Sequence, residues 1–107
     1  MENVNYFDDK MSDPQGRGYV MYRMYDDGVH VLMGSHTDFA HRGKGIFKTL
    51  FERFLENEVK LGEIVYIALI NKKILPYLLG KGFVKIKEPI RHWGKVGNGV
   101  NLKYVKK

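Results

Sequence analysis

The hydrophobic and polar positions of this chain predict a β-hairpin followed by an amphipathic helix. Aromatic and β-branched residues are frequent from Tyr19 to Tyr25, Asp26-Asp27-Gly28 is a hairpin turn signal, and a strand-like pattern resumes over Val29 to Thr37. From Ile46 to Lys60 apolar residues recur at helical spacing and cover about half of the circumference, while the opposite side is charged. Gly62 then ends the run as a C-cap glycine would.

A second group of elements follows this helix. Ile64 to Ile70 is an unbroken apolar run, which is typical of a strand buried on both faces of a parallel sheet. The pattern predicts a short helix from Asn71 to about Leu79, a strand with one wet face from Val84 to Glu88, and a returning strand from Val100 to Val105. Strand, helix and buried strand form a βαβ unit with a right-handed crossover, so the sequence predicts an α/β fold.

Size and composition favour one folded, soluble domain over residues 1–107. The hydrophobic content of 44% is that of a globular chain, and residues 1–17 are polar and rich in turn formers. We expect that segment to be partly mobile, with at most a short strand around Asn5 to Phe7. No cysteine, membrane-length apolar run or apolar signal-peptide core is present, so we expect a cytoplasmic protein without a thiolate metal site.

Two glycines lie where the second strand turns into the helix, within the run from His41 to Phe47. The first turn of a helix has unpaired N–H groups and the positive end of the helix dipole, and glycine lets an anion approach them closely. Between Asp38 and Glu52 the charged residues are all basic: Arg42, Lys44 and Lys48. This segment therefore predicts a site for a phosphate group, and the net charge of +6 also favours an anionic partner.

Two motifs resemble those of the GNAT superfamily of N-acyltransferases. The family's acyl-CoA motif, Arg/Gln-x-x-Gly-x-Gly/Ala, falls on Arg42, Gly45 and Phe47, where Phe47 replaces a small residue. Asn71, followed eleven and twelve residues later by Gly82-Phe83, resembles the family's later Asn and Gly-Phe segment. Either motif alone is weak, but order, spacing and predicted elements agree over about residues 29–84.

The resemblance implies a mixed α/β (α+β) sheet that is splayed at its centre, with helices on its faces and a shortened N-terminal part. It implies an N-acetyltransferase that moves an acetyl group from acetyl-CoA to an amine. In the family, the backbone of the first central strand binds the pantetheine arm, the glycine loop binds the pyrophosphate, and the later Asn contacts the arm. The corresponding cofactor-binding residues of this chain are Thr37, Asp38, Phe39, Arg42, Gly43, Lys44, Gly45, Ile46, Phe47 and Asn71.

Acyl transfer needs a group that removes a proton from the amine and a proton for the departing thiolate. The resemblance implies a base on the strand before the loop, where Val31-Leu32-Met33 offers no carboxylate. His36, and less favourably His30, can replace it, because alternation gives them the same strand parity. The family's thiolate-protonating Tyr corresponds to Leu78, so Tyr77 can act as the acid only if Pro76 displaces the helix.

The acceptor and the activity stay open. Few residues precede the first clear strand, so we expect an acceptor pocket that is either open to a protein or polymer, or completed by a second subunit. One alternative is a catalytically degenerate acyl-CoA-binding protein. The other is a nucleic-acid-binding module that uses basic and aromatic residues: Arg42, Lys44, Lys85, Lys87, Arg91, Trp93, Lys95, Lys103, Lys106 and Lys107.

Overall fold

A computed structural model of the chain describes residues 5–38, 43–69, 72–93 and 99–107. These residues form six strands, two α-helices and one 3₁₀ turn. The strands are β1 (Tyr6–Ser12), β2 (Gly18–Tyr25), β3 (Val29–Thr37), β4 (Ile64–Leu69), β5 (Val84–Ile86) and β6 (Val100–Val105). The helices are α1 (Ile46–Asn57) and α2 (Leu75–Gly80), and the 3₁₀ turn at Lys72–Ile74 leads into α2.

The six strands form one mixed sheet in the order β1-β2-β3-β4-β6-β5. β3 and β4 are parallel and connected through α1, and every other neighbouring pair is antiparallel. The predicted hairpin, the buried strand and the return of β6 beside β5 are confirmed. The mixed α+β architecture predicted from the sequence is confirmed with them.

β1 corrects the prediction for the N-terminal segment. It is a seven-residue edge strand that pairs with β2 from Tyr6 opposite Tyr25 to Ser12 opposite Tyr19. Strand pairing uses backbone groups, so a polar edge strand does not need the alternation of apolar residues that marks a half-buried one. Cross-strand side chains add support, because Arg23 Nε donates to Asp8 Oδ1 at 2.6 Å.

α1 covers one face of the sheet and makes the main hydrophobic core with it. Phe51 and Phe54 of α1 are fully buried there, against side chains that β2, β4 and β6 direct to the same face, such as Tyr22 and Leu102. A smaller cluster occupies the opposite face, where Ile90 packs with Val29 and Val31. Within the described ranges, no helix is long and apolar enough to cross a membrane.

β3 changes its surroundings at Met33. The pairing register between β2 and β3 places Gly34 opposite Met21 but Leu32 opposite Tyr22, so Met33 is the extra residue of a β-bulge. On its other side, β3 pairs with β4 only from Val29 to Leu32, although both strands continue. β3 and β4 therefore separate after Leu32, where the bulge begins.

Candidate active site

The predicted glycine turn forms the N-terminal end of α1. Gly43 and Gly45 both have left-handed backbone, with φ of 84° and 75°, and a Cβ atom added to either would have no described atom within 4 Å. The helix begins at Ile46 with no side-chain cap and no acidic residue in its first turn. The turn thus presents N–H groups and open space together, which is the arrangement that an anion site needs.

Two adjoining spaces lead from this turn into the sheet. The first, of about 350 Å³, is lined by Thr37, Gly43, Gly45, Ile46, Phe47, Lys48 and Ile74. The second, of about 520 Å³, lies where β3 and β4 separate and is lined by Leu32, Met33, Gly34, Ser35, His36, Thr37, Phe47, Ile67, Ala68, Leu69 and Ile74. They share Thr37, Phe47 and Ile74, so they form one continuous cleft.

The predicted cofactor residues fall into three groups. Gly43, Gly45, Ile46, Phe47 and Thr37 line the cleft, and Lys44 lies exposed in the turn. Asp38 differs from the expectation of backbone binding, because its N–H donates to the Arg17 carbonyl at 2.8 Å. Phe39, Arg42 and Asn71 lie outside the described residues.

His36 lies in the cleft wall at the tip of β3. Its Nε2 is 3.1 Å from Asp38 Oδ1, and both side chains are about half exposed, at 49% and 51%. Its ring also packs beside Tyr19, with ring centroids 5.6 Å apart. When Nε2–H donates to Asp38, the other ring nitrogen, Nδ1, keeps the lone pair that a base needs.

His30 lies in a different environment, and the predicted common parity with His36 is wrong. The bulge at Met33 reverses the alternation, so His30 is on the α1 face beside Phe54 while His36 is on the opposite face beside Tyr19. His30 is 4% exposed, and its Nε2 lies 2.8 Å from Glu63 Oε1. His30 Nδ1 is buried with no hydrogen-bond partner among the described residues. Its contacts are those of a core residue.

Tyr77 is not brought into the cleft. Its hydroxyl donates to Glu52 Oε2 at 3.1 Å, and Glu52 Oε1 also accepts from Lys81 Nζ at 2.8 Å. Partial burial and the neighbouring Glu52 carboxylate both raise the pKa of Tyr77 above its usual range. Leu78, which aligns with the family's acid, is fully buried in the main core. The geometry gives neither residue access to a thiol in the cleft.

The fold is similar to those of several solved structures. A GNAT-family acetyltransferase from Staphylococcus aureus MU50 matches with a TM-score of 0.64 and 18% identity, over 90% of this chain and 65% of that chain. A structure described as histone acetyltransferase HPA2 and related acetyltransferase, from Corynebacterium glutamicum, matches with a TM-score of 0.69 and 15% identity, over 94% and 64%. A proposed acyl-CoA N-acyltransferase from Klebsiella pneumoniae matches with a TM-score of 0.61 and 12% identity, over 95% and 73%.

The chain has a GNAT-like fold. It spans slightly less than two thirds of the first two of these proteins. No protein-family profile and no curated protein sequence matches it. At these identities the similarity is one of fold, so it confirms the predicted fold and assigns no substrate.

Phe47 is where this GNAT-like glycine turn departs from the family motif. Its ring stacks on Phe51 one helical turn later, with centroids 5.5 Å apart and an interplanar angle of 9°. This stacking makes Phe47 part of the wall shared by the two spaces of the cleft. A large residue at this position therefore narrows the passage beside the turn while leaving the N–H side of the turn open.

The basic residues considered for nucleic-acid binding do not form one surface in the described part of the chain. Lys106 Nζ donates to the carbonyls of Leu55, Glu56 and Val59, so it closes the C-terminal end of α1. Lys103 pairs opposite Val84 while Lys85 pairs opposite Leu102, so the two lysines lie on opposite faces of the sheet. Arg42 and Lys95 are outside the described residues.

Sequence reasoning missed Tyr19 and Lys10 as neighbours of His36. Tyr19 packs on His36, and the Lys10 ammonium lies 5.1 Å from the centre of the Tyr19 ring. Finding them requires the register of β1 on β2 and the position of the bulge. Neither leaves a signal in the sequence, because residues 1–17 read as turns.

Proposed function

We propose that this protein is an N-acetyltransferase that uses acetyl-CoA as acyl donor and an amine as acceptor. The observation that carries the proposal is the separation of β3 from β4 beyond Leu32. The resulting cleft runs from the bulge at Met33 to the glycine turn at the start of α1. A long ligand with a phosphate at one end and a reactive group at the other fits a cleft of this form.

The residues present fit the phosphate end of acetyl-CoA. Both glycines of the turn leave open the space that a side chain would fill, and Lys48 lines the same space. Unpaired N–H groups at a helix start, the helix dipole and a nearby ammonium all stabilise phosphate oxygens. The part of the cleft that both spaces share, between Phe47, Thr37 and Ile74, is mainly apolar, which suits an aliphatic arm.

Bound acetyl-CoA would supply an activated acetyl group within the cleft. At the tip of β3, His36 takes a proton from the acceptor ammonium, with Asp38 holding the imidazole through Nε2 and leaving Nδ1 as the base. Because the bulge turns His36 to the face opposite α1, the amine approaches from that face. We leave Tyr77 out of this scheme because Glu52 holds its hydroxyl outside the cleft.

A second candidate is an acyl-CoA-binding protein without turnover. It is favoured by one observation, that the residue predicted to protonate the thiolate is bound to Glu52 instead. Release of free thiol from acetyl-CoA that depends on an added amine would exclude this candidate.

The first test is the thermal midpoint of the protein with acetyl-CoA, with ATP and with a short oligonucleotide. A ligand at a hundredfold excess over its dissociation constant stabilises the native state by about 2.7 kcal/mol, which shifts the midpoint by of order ten degrees in a domain of this size. We expect a shift with acetyl-CoA alone. A shift only with oligonucleotide would replace the proposal by nucleic-acid binding, and its loss with added salt would support that reading.

A further inference from the structure

Three side chains lie on the sheet face opposite α1, near the tip of β3: Tyr19 is directly opposite His36, and Lys10 is diagonal to Tyr19. Lys10 of β1 is paired opposite Met21, and Tyr19 of β2 is paired opposite His36 of β3. The Lys10 ammonium is 5.1 Å from the centre of the Tyr19 ring, and that ring is 5.6 Å from the His36 ring. An amine of the chain itself is thus held one aromatic ring away from the proposed base.

A cavity beside Lys10 shares one wall residue with the cleft. It has a volume of about 370 Å³ and is lined by Asp8, Asp9, Lys10, Met21 and Met33. Met33, the bulge residue, also lines the cleft between β3 and β4. Methionine is unbranched and flexible, so this shared wall can move aside more readily than a β-branched residue would.

The Lys10 ammonium is available for reaction. The side chain is exposed, and within the described residues its ammonium contacts an aromatic ring and forms no ion pair. Asp8, which lines the same cavity, is already bound to Arg23 by two hydrogen bonds of 2.6 and 3.0 Å. Among the described residues, the Lys10 amine is therefore not tied to a carboxylate.

Distance also permits the reaction. β1 and β3 are two strand spacings apart, about 10 Å, and Lys10 is offset from His36 by two residues along the strands, about 7 Å. A lysine side chain is a flexible four-carbon stem with a terminal amine. Rotation of that stem across Tyr19 carries the amine toward His36 and the bulge.

We propose that Lys10 is a self-acetylation site, modified at Nζ by the active site of its own chain. The inference rests on the proposed function. His36 takes a proton from the Lys10 ammonium, the neutral nitrogen forms a bond to the acetyl carbon of the thioester, and the carbon–sulfur bond breaks. The second proton on nitrogen is lost to solvent and the thiolate takes one up, so the products are an amide and a free thiol.

The test is peptide mass mapping of the full chain after incubation with acetyl-CoA, at two protein concentrations tenfold apart. Lys85 is the internal control, because it is exposed and lies on β5, at the edge of the sheet opposite to β1. Because Lys10 is close to the proposed active site, it should be acetylated at least about tenfold faster than Lys85. The first-order rate constant for Lys10 should be the same at both protein concentrations. His36→Ala should reduce Lys10 to the Lys85 rate, and Lys10→Arg should abolish the modification while keeping the thermal shift with acetyl-CoA.

The thermal shift separates the two proposals. If acetyl-CoA stabilises the protein but Lys10 is acetylated no faster than Lys85, self-acetylation is wrong and the proposed function survives. If the Lys10 rate per molecule rises with protein concentration, the reaction is between chains and the intramolecular site is wrong. If acetyl-CoA gives neither stabilisation nor modification, both proposals fail.

Discussion

The two halves of β3 differ: the first half packs in the core, and the second half lines the cleft of the proposed active site. In the first half, Val29 to Leu32, the strand has β2 on one side and β4 on the other, and Val29 and Val31 are fully buried. In the second half, Met33 to Thr37, it keeps β2 but has lost β4, and its side chains are partly or largely exposed. The change occurs at the bulge residue Met33.

The two histidines of β3 show what this difference means for chemistry. His30 is 4% exposed and bound to Glu63, while the His36 side chain is 49% exposed beside Asp38 and the cleft. Each has a carboxylate partner, so a pairing with Asp or Glu does not by itself indicate function. Position relative to the bulge decides which histidine can meet a substrate.

The largest expected effect is on stability, in the core where α1 packs on the buried half of β3. Phe54 is fully buried and its ring packs on Tyr22 and near His30, so Phe54→Ala should lower the free energy of unfolding by about 3–5 kcal/mol. Phe47→Ala is the matched change at the cleft, where the ring is only partly buried, and should cost about 1–2 kcal/mol. Urea denaturation measures both. Equal losses would mean that the cleft wall is packed as tightly as the core.

The next effect concerns catalysis in the open half. His36→Ala removes the proposed base while the exposed side chain contributes little packing, so amine-dependent thiol release should fall by about a hundredfold with almost unchanged stability. Tyr77→Phe is the control, since its hydroxyl is bound to Glu52 and should be silent in the same assay. If Tyr77→Phe lowers turnover and His36→Ala does not, the two assignments must be exchanged.

A smaller effect is expected at the phosphate end of the cleft. Gly45→Asp and Gly45→Asn are nearly equal in size, and both residues tolerate left-handed backbone better than other side chains do. Only Asp places a negative charge at the helix start. It should therefore weaken acetyl-CoA binding at least about tenfold more than Asn, or about 1.4 kcal/mol. Calorimetric titration gives the dissociation constants, and equal affinities would remove the anion site from the glycine turn.

Much of this molecule was readable from the sequence, because several of its elements carry periodic signals. The bounds of β3 and β6, the start of α1 at Ile46 and the glycine turn all follow from apolar spacing and turn residues. β1 was not readable, because an exposed edge strand is stabilised by backbone pairing and needs no apolar face. The bulge was not readable either, since one added residue does not disturb the composition of a strand.

The site was less readable than the fold because it depends on those hidden features. The single extra residue of the bulge places His36 and His30 on opposite faces of the sheet. Tyr77 and Leu78 are neighbours in α2, and their side chains point in different directions because they are one residue apart. A sequence pattern locates residues to within an element, but the side chain's direction changes by about 180° per strand residue and about 100° per helical residue. An error of one residue in register therefore gives a wrong catalytic residue even where the predicted fold is correct.

The smallest expected effects are on stability, at the two carboxylates that pair with the histidines of β3, Glu63 and Asp38. Burial alone would raise the pKa of Glu63, but the Lys60 N–H and His30 outweigh it, and the pKa lies below its ordinary value of 4.5. A carboxylate whose pKa is lowered by folding stabilises the native state above pH 4.5, and this contribution is lost as the pH falls through the lowered value.

Glu63→Gln should therefore cost about 1 kcal/mol at neutral pH, with the difference from the parent shrinking below about pH 4.5. Asp38→Asn, at the exposed pair, should change stability by less than about 0.5 kcal/mol. Urea midpoints measured from pH 3 to pH 7 test both. A Glu63→Gln difference that grows as the pH falls would mean that the carboxylate destabilises the fold, and a large Asp38→Asn effect would mean that the open half of β3 is held as firmly as the buried half.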